Sequence, residues 1–272
     1  MEVKFIKASP TENMTLLIET PVAREKQLAV AERLIAYGSV YAEQAGYIEE
    51  AENPAAEKRL QMMAGEFCGN ASLSLAAWLA QKKNLQIGEK TEITLEVSGA
   101  EALVRCEMKR EAEHRFLGRV AMPLPQTIEK RAFTLDGERI ELTAVVFAGI
   151  THILVPASLW GENAAKKAEH AARVWAKELP PVFGLLLFDE KEKSLKPLVA
   201  VGDVSLIWER GCGSGTSAVG AYLAAREKKD VTVSLKQPGG VMHATVSYQN
   251  GAVTKIEITG SVAIVAEGTA YL

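Results

Sequence analysis

"GEFCGNASLSLAAWLA" occupies residues 65–80, and "ERGCGSGTSAVGAYLA" occupies residues 209–224. A shift of 144 positions lays Cys68 on Cys212, Gly69 on Gly213, Ala77 on Ala221, Leu79 on Leu223 and Ala80 on Ala224. The same shift sets Ser72 on Thr216, Leu75 on Val219 and Trp78 on Tyr222. Similarity at a fixed displacement signals an internal repeat, which bears on the fold before any single element does. Each copy opens with a cysteine and runs on into a segment that is apolar almost all round. A helix without a polar face has to be buried on most sides. The expectation is an α+β fold of two pseudo-symmetric lobes, residues 1–123 and 124–272. Each lobe is expected to be a mostly antiparallel sheet or barrel wrapped around a central helix, with the boundary near Pro123-Leu124-Pro125.

Working outward, "MTLLI" (14–18) reads as a buried strand. Thr20 and Pro21 mark the start of a helix running to about Tyr37, with Leu28, Ala31 and Ile35 on its inner face and Gly38 as its stop. "GYIEE" (46–50), "RLQMM" (59–63), "ITLEV" (93–97) and "ALVRCEM" (102–108) read as strands around the first repeated helix. In the second half, "AFTLDGERIELTAVVF" (132–147) is a hairpin turning at Asp136-Gly137. "THILVP" (151–156) is a strand, and Asn163 to Glu178 a helix ended by Pro180-Pro181. "GLLLFDE" (184–190) and "PLVAV" (197–201) are strands before the second repeated helix. "VTVSL" and "HATVSY" flank "KQPGG" (236–240), and a last hairpin turns at Asn250-Gly251.

Hydrophobic residues make up 48% of the 272, enough for a core, and charged residues 24%, enough for a soluble surface. The formal net charge of −3 gives no basic excess for nucleic acid or an anionic membrane. No run of eighteen apolar residues suggests a membrane span, and "MEVKFIKASP" lacks the form of a secretory signal. Three cysteines do not make a disulfide framework, so a reducing cytoplasm is the expected compartment. His114, His152, His170 and His243 are scattered without metal-ligand spacing, and "CGSGT" lacks the lysine of a phosphate loop, so neither metal nor cofactor is expected.

A cysteine at a helix N-terminus feels the positive end of the macrodipole, which favours its thiolate. The glycines that follow let backbone N–H groups approach an anion. Each lobe then offers one thiol and one oxyanion-binding turn, and pseudo-symmetry is expected to turn both toward an interlobe cleft. An amino acid in such a cleft would set its carboxylate on Gly69, Asn70, Gly213, Ser214, Gly215 and Thr216. One sulfur on each face of Cα would invert it by removing a proton from one side and returning one to the other. Donors aimed at the carbanion's growing charge stabilise it. One Cys-Gly pair is ordinarily a small buried element. Two at equivalent places in a repeat point to chemistry, whereas Cys106, in a strand, reads as core.

These motifs resemble the diaminopimelate epimerase fold family over essentially the whole chain. The resemblance rests on Asn13, Glu43-Gln44, Cys68-Gly69-Asn70, Glu209-Arg210 and Cys212-Gly213-Ser214-Gly215-Thr216. It implies a cofactor-independent isomerase in which Cys68 and Cys212 are the two bases and a homodimer is possible. Departures bear on the substrate. Arg210 is followed after only Gly211 by Cys212, where diaminopimelate epimerases carry a longer insertion. Gln61 and Met62 stand in the region of one family Asn, Thr151-His152 replaces an NPH-like segment, and a second-lobe Asn is replaced within "VFGLLLF" (182–188). A site without those groups would leave the far charges of diaminopimelate unpaired, which is costly. The chain is more similar to the histidine racemases of this family that supply opine-type metallophores, through "NMTLLI", "EQAGYIE", "GEFCGNA", "LLLFDE", "CGSGT" and "QPGG". This implies L-histidine to D-histidine; the residues alone say only an α-amino acid. Glu43 or Glu209 would meet an imidazole N–H or the ammonium, Gln44 the ammonium, and Asn13 the carboxylate or the first turn. Glu209, three residues before Cys212, would also raise that thiol's pKa. A diaminopimelate epimerase, a non-catalytic amino-acid-binding protein and a thiol redox switch joining Cys68 to Cys212 are the alternatives.

Overall fold

The architecture is described from a computed structural model over residues 1–201 and 205–272. The chain divides into two compact units, Met1–Ala121 with Thr259–Leu272, and Met122–Ile258. The sequence boundary placed all of 124–272 in the second lobe. The last segment belongs with the first because it pairs along the first strand, from Glu2↔Tyr271 to Pro10↔Val262.

In the first unit, β1 (Glu2–Pro10) pairs antiparallel with β2 (Thr15–Ile18). Helix α1 (Arg24–Ile35) then carries the chain over to β3 (Gln44–Glu49), which lies parallel to β2. Strand β4 (Lys58–Met62) returns antiparallel to β3. Helix α2 (Gly69–Lys82) crosses to β5 (Lys90–Val97), parallel to β4. The hairpin strands β6 (Val104–Ala112) and β7 (Arg115–Ala121) follow. Parallel neighbours need such crossovers because a tight turn cannot reverse the chain twice. Helix α2 packs against β1 through β7. Its side chains from Gly69 to Trp78 are buried without a break, as an all-apolar helix requires.

The second unit opens with β8 (Thr127–Leu135) and β9 (Glu138–Phe147), joined at Asp136-Gly137, both at positive φ as a two-residue hairpin turn demands. Then β10 (Ile150–Pro156), α3 (Ala164–Trp175) and β11 (Val182–Asp189) form a parallel crossover. Strand β12 (Ser194–Val201) is antiparallel to β11 and carries β13 (Ser205–Trp208) beside it. Helix α4 (Gly213–Glu227) leads to β14 (Val231–Gln237), parallel to β12, and β15 (Gly240–Gln249). The order and sense of β2-α1-β3-β4-α2-β5-β6 recur in β10-α3-β11-β12-α4-β14-β15. The core of this unit gathers Ile153, Leu185 and Leu198 around Trp175, whose ring lies 4.6 Å from that of Phe133.

The expected architecture of two lobes, each closed on its own central helix in the diaminopimelate epimerase manner, is corrected. The strands form one mixed sheet of sixteen, in the order β1 to β7, β16 (Ala252–Tyr271), β15, β14, β12, β11, β10, β9, β8, with β13 beside β12. Four helices accompany it among the described residues. The long β16 stands between β7 and β15 in that order.

Helix α1 also departs from its sequence reading. It starts at Arg24 without a side-chain cap, since the N-cap position falls on Ala23, and the Thr20 hydroxyl instead accepts the Lys4 N–H of β1. Its buried face is Gln27, Ala31 and Leu34, while Leu28 is exposed. The rotation has a polar cause. The Gln27 side chain is held by Arg24 and Glu49, and the Gln27 backbone carbonyl accepts from the buried Tyr47 hydroxyl at 2.7 Å. No helix among the described residues is long and apolar enough to cross a membrane.

Candidate active site

In the first unit, Cys68 is the N-cap of α2, with extended backbone, and its sulfur accepts the Ala71 N–H at 3.4 Å. A sulfur so placed fills the role that an oxygen takes in an ordinary N-cap. Three of the residues predicted for the site join it in a chain. The Cys68 thiol donates to Gln44 Oε1 at 3.1 Å. The Gln44 amide donates to Asn13 Oδ1 at 2.7 Å and to Thr15 Oγ1 at 2.9 Å. The Asn13 amide donates to Glu43 Oε2 at 2.7 Å. Asn13 and Thr15 are buried, at the turn out of β1 where Thr11 and Glu12 adopt positive φ. Gly69 and Asn70 lie buried in the first turn of α2. Gln44 therefore has both ends engaged by the protein and orients the thiol.

In the second unit, Cys212 caps α4 with the same extended backbone, and its sulfur accepts the Gly215 N–H at 3.3 Å. A Cβ on Gly215 would lie 2.9 Å from Leu186 Cδ2 and 3.1 Å from the sulfur, so the close turn needs glycine. The Cys212 N–H donates to Gln237 Oε1 at 2.8 Å, and Gln237 Nε2 donates to Thr216 Oγ1 at 2.7 Å. The Thr216 hydroxyl donates to the Cys212 carbonyl at 2.6 Å. Gln237, read from the sequence only as part of a turn, is thus the fastener of this loop. Its signal was a polar residue at a strand end immediately before Pro-Gly-Gly. Arg210 donates to the Pro238 carbonyl at 3.2 Å. Gly213 is buried, and the Ser214 hydroxyl lies 3.5 Å from the Cys212 sulfur and 2.9 Å from His152 Nε2.

The Cys212 thiol is raised well above its ordinary pKa, first by burial and then by the charge and hydrogen bond of Glu209. Ser214 and the Gly215 N–H act the other way. The sequence reading expected Glu209 to raise it, as it does, and the helix N-terminus to lower it. Burial outweighs the dipole here, because desolvation penalises the charged form. His152 is fully buried and burial pushes it down to about 3, so it is neutral. Cys106 is fully buried among strands, its thiol driven up by burial, as a core residue. A cavity of about 450 Å³ in the second unit, bordered by residues such as Lys130, Glu141, Glu190 and Tyr222, includes none of these groups.

Comparison with known proteins adds an independent line. The sequence model of the family described as the histidine racemase CntK N-terminal domain matches residues 2–271. A histidine racemase of Fusobacterium nucleatum is 32% identical over 98% of this chain and 97% of its own length. A histidine racemase of Staphylococcus aureus is 28% identical over 99% of this chain and 98% of its own. Among solved structures, a probable proline racemase from Agrobacterium radiobacter superposes with a TM-score of 0.74 at 16% identity, covering 98% of this chain and 92% of that one. A phenazine biosynthesis protein of the PhzF family from Bacillus anthracis reaches 0.72 at 14% identity, covering 100% of both. At such identities the likeness concerns the fold, and it assigns the chain to proline racemase and PhzF architecture in place of the diaminopimelate epimerase-like form expected.

Proposed function

Since this chain belongs to the histidine racemase CntK N-terminal domain family, we propose that it interconverts L- and D-histidine by proton transfer between Cys68 and Cys212. It is an isomerase, an amino-acid racemase. The thiolate of one cysteine takes the α-hydrogen as a proton and becomes a thiol. The electron pair left on Cα spreads into the carboxylate. The thiol of the other cysteine then gives its proton to the opposite face and is left as a thiolate. The enzyme ends with its two protonation states exchanged, so the next turnover in that direction needs a proton to be redistributed through solvent. General acid–base groups of this kind contribute on the order of 10² to 10⁴ in rate.

The observation that supports this reading is that each repeated buried helix is capped by a thiol whose sulfur takes the N–H three residues on. Gly69, Asn70, Gly213 and Ser214, in the first turns of these helices, are proposed to receive the substrate carboxylate. Glu43, held at one oxygen by Asn13, is proposed to meet the ammonium or an imidazole N–H. A homodimer in a reducing, cytoplasmic compartment completes the reading. Incubation with a panel of L-amino acids in deuterated water, followed by chiral chromatography and mass spectrometry, tests it. L-histidine should yield D-histidine carrying deuterium at Cα. Turnover of L,L-diaminopimelate with none of histidine would overturn the substrate assignment, and binding without deuterium uptake would overturn the chemistry.

A further inference from the structure

His152 lies on β10, between Val145 of β9 and Gly184 of β11. It is fully buried, and its ring stands edge-on to Phe147 with centroids 6.3 Å apart. Nδ1 is a buried nitrogen with no hydrogen-bond partner among the described residues. It faces Gly184 so closely that a Cβ there would come within 2.4 Å of it. Nε2 is 2.9 Å from Ser214 Oγ, which is 3.5 Å from the Cys212 sulfur. An imidazole in this setting can take two neutral forms. With the proton on Nδ1, a buried N–H would have no acceptor, and orphaned buried N–H groups are rare in folded proteins. With the proton on Nε2, the bare Nδ1 faces the Gly184 methylene, and every donor in the row has an acceptor.

We propose that His152 is a positioning residue held as its Nε2–H tautomer, which donates to Ser214 Oγ and thereby aims the Ser214 hydroxyl proton at the Cys212 sulfur. The inference rests on the reading of Cys212 as a proton-transfer group. No proton leaves the histidine. The row His152 Nε2–H, Ser214 Oγ–H, Cys212 sulfur works by the direction of its dipoles, supporting the sulfur when it carries charge. The missing side chain at Gly184 makes room for the ring, and burial keeps it neutral at working pH. Among the groups recorded against His152, namely Val145 on β9, Phe147 beyond it, Gly184 on β11 and Ser214 on α4, none titrates. Beyond Ser214 the titratable groups are Cys212 and Glu209.

The first test leaves the protein unaltered. In ¹⁵N-histidine spectra, the His152 signals, identified by their loss in His152→Gln, should show Nε2 protonated and Nδ1 bare. They should keep that form from pH 8 down to pH 5, while an exposed histidine titrates about 6.5. A proton on Nδ1 overturns the proposal, because Ser214 would then point at the imidazole and away from sulfur. This readout stands whether or not the chain turns over histidine, so its failure is distinct from failure of the racemase reading. In the activity arm, Ser214→Ala should lower kcat/KM on the order of 10²-fold, as loss of one aimed donor does. His152→Leu should lose a comparable amount, and the double variant no more than Ser214→Ala alone, because the two groups act in series. His152→Gln, whose amide can donate to Ser214, should recover most of the loss seen with His152→Leu. Additive losses, or a full loss in His152→Gln, would reduce His152 to a packing residue and overturn the assignment.

Discussion

The Cys68 thiol donates to an amide oxygen, that of Gln44, whose own N–H groups are fixed by Asn13 and Thr15. The Cys212 thiol lies against a carboxylate, that of Glu209. Both cysteines cap equivalent helices and both accept the N–H three residues on, so the backbone framework is shared. The difference lies in what the neighbour can do with a proton. An amide oxygen orients a thiol and takes nothing from it. A carboxylate can receive the proton, and while charged it opposes a second charge on sulfur. Burial widens the contrast, since Cys212 is buried and Cys68 is half-buried. The proposed reaction needs one thiol and one thiolate at its start, and two such unlike settings suit it.

The most direct way to break this comparison is to remove the sulfurs. Cys68→Ser and Cys212→Ser should each lower racemisation at least ~10³-fold, because a hydroxyl at ordinary pKa replaces neither acid nor base. Chiral chromatography of histidine reads the loss. Either variant can retain deuterium exchange of one enantiomer, and which one reveals the face each sulfur serves. Full racemisation by either single variant removes the two-thiol mechanism.

Next in size is the exchange of neighbours. Glu209→Gln removes the charge that opposes thiolate formation, so the alkaline limb of kcat/KM should move to lower pH. The maximum should fall roughly tenfold as the proton acceptor is lost. Gln44→Glu puts a carboxylate against the Cys68 thiol in place of the amide, and should move a limb the opposite way. If neither profile moves, the contrast between amide and carboxylate has no bearing on the chemistry.

The two units also differ in what they bury. His152 in the second is sealed and neutral, while His114 in the first is exposed. The folded-state value of about 3 lies below the ordinary 6.5, so the unfolded chain takes up a proton first as pH falls. Stability from this residue is complete above about 6.5 and declines by about 1.4 kcal/mol per pH unit below it, until the folded form also protonates near 3. Urea midpoints at pH 7, 6 and 5 should fall accordingly. In His152→Gln the part of this slope that comes from the imidazole should vanish.

Much of this was legible in the sequence for one reason. The apolar helices and their leading cysteines are local patterns, and the 144-residue repeat doubled them. Turn chemistry was local too, so Asp136-Gly137 and Asn250-Gly251 fall at hairpins with both residues at positive φ. What was not legible depends on distant partners. The face of α1 is set by Tyr47 and Glu49, not by the helix's own apolar spacing. The order of the sheet depends on β16 pairing with β1, far apart in sequence. Gln237 and His152 act through Thr216 and Ser214, and no periodicity announces a hydrogen bond between strands and a helix cap.

The smallest expected effect separates the two caps at a single atom. The repeat sets Ala71 opposite Gly215, each the residue whose N–H meets sulfur. In α2 the Ala71 methyl is accommodated, fully buried. In α4 a methyl at 215 would press on Leu186 and on the Cys212 sulfur itself. Gly215→Ala should therefore cost ~1–3 kcal/mol through overpacking, despite alanine's better helix propensity, and should also lower kcat by displacing the sulfur. Ala71→Gly should cost ~1 kcal/mol, with little change in kcat, because it frees backbone and removes a packed methyl without touching Cys68. Urea unfolding with parallel rate measurements distinguishes the pair. Equal behaviour of the two variants would mean that the turn around Cys212 is no tighter than its counterpart, and that the difference between the sites lies wholly in Gln44 and Glu209.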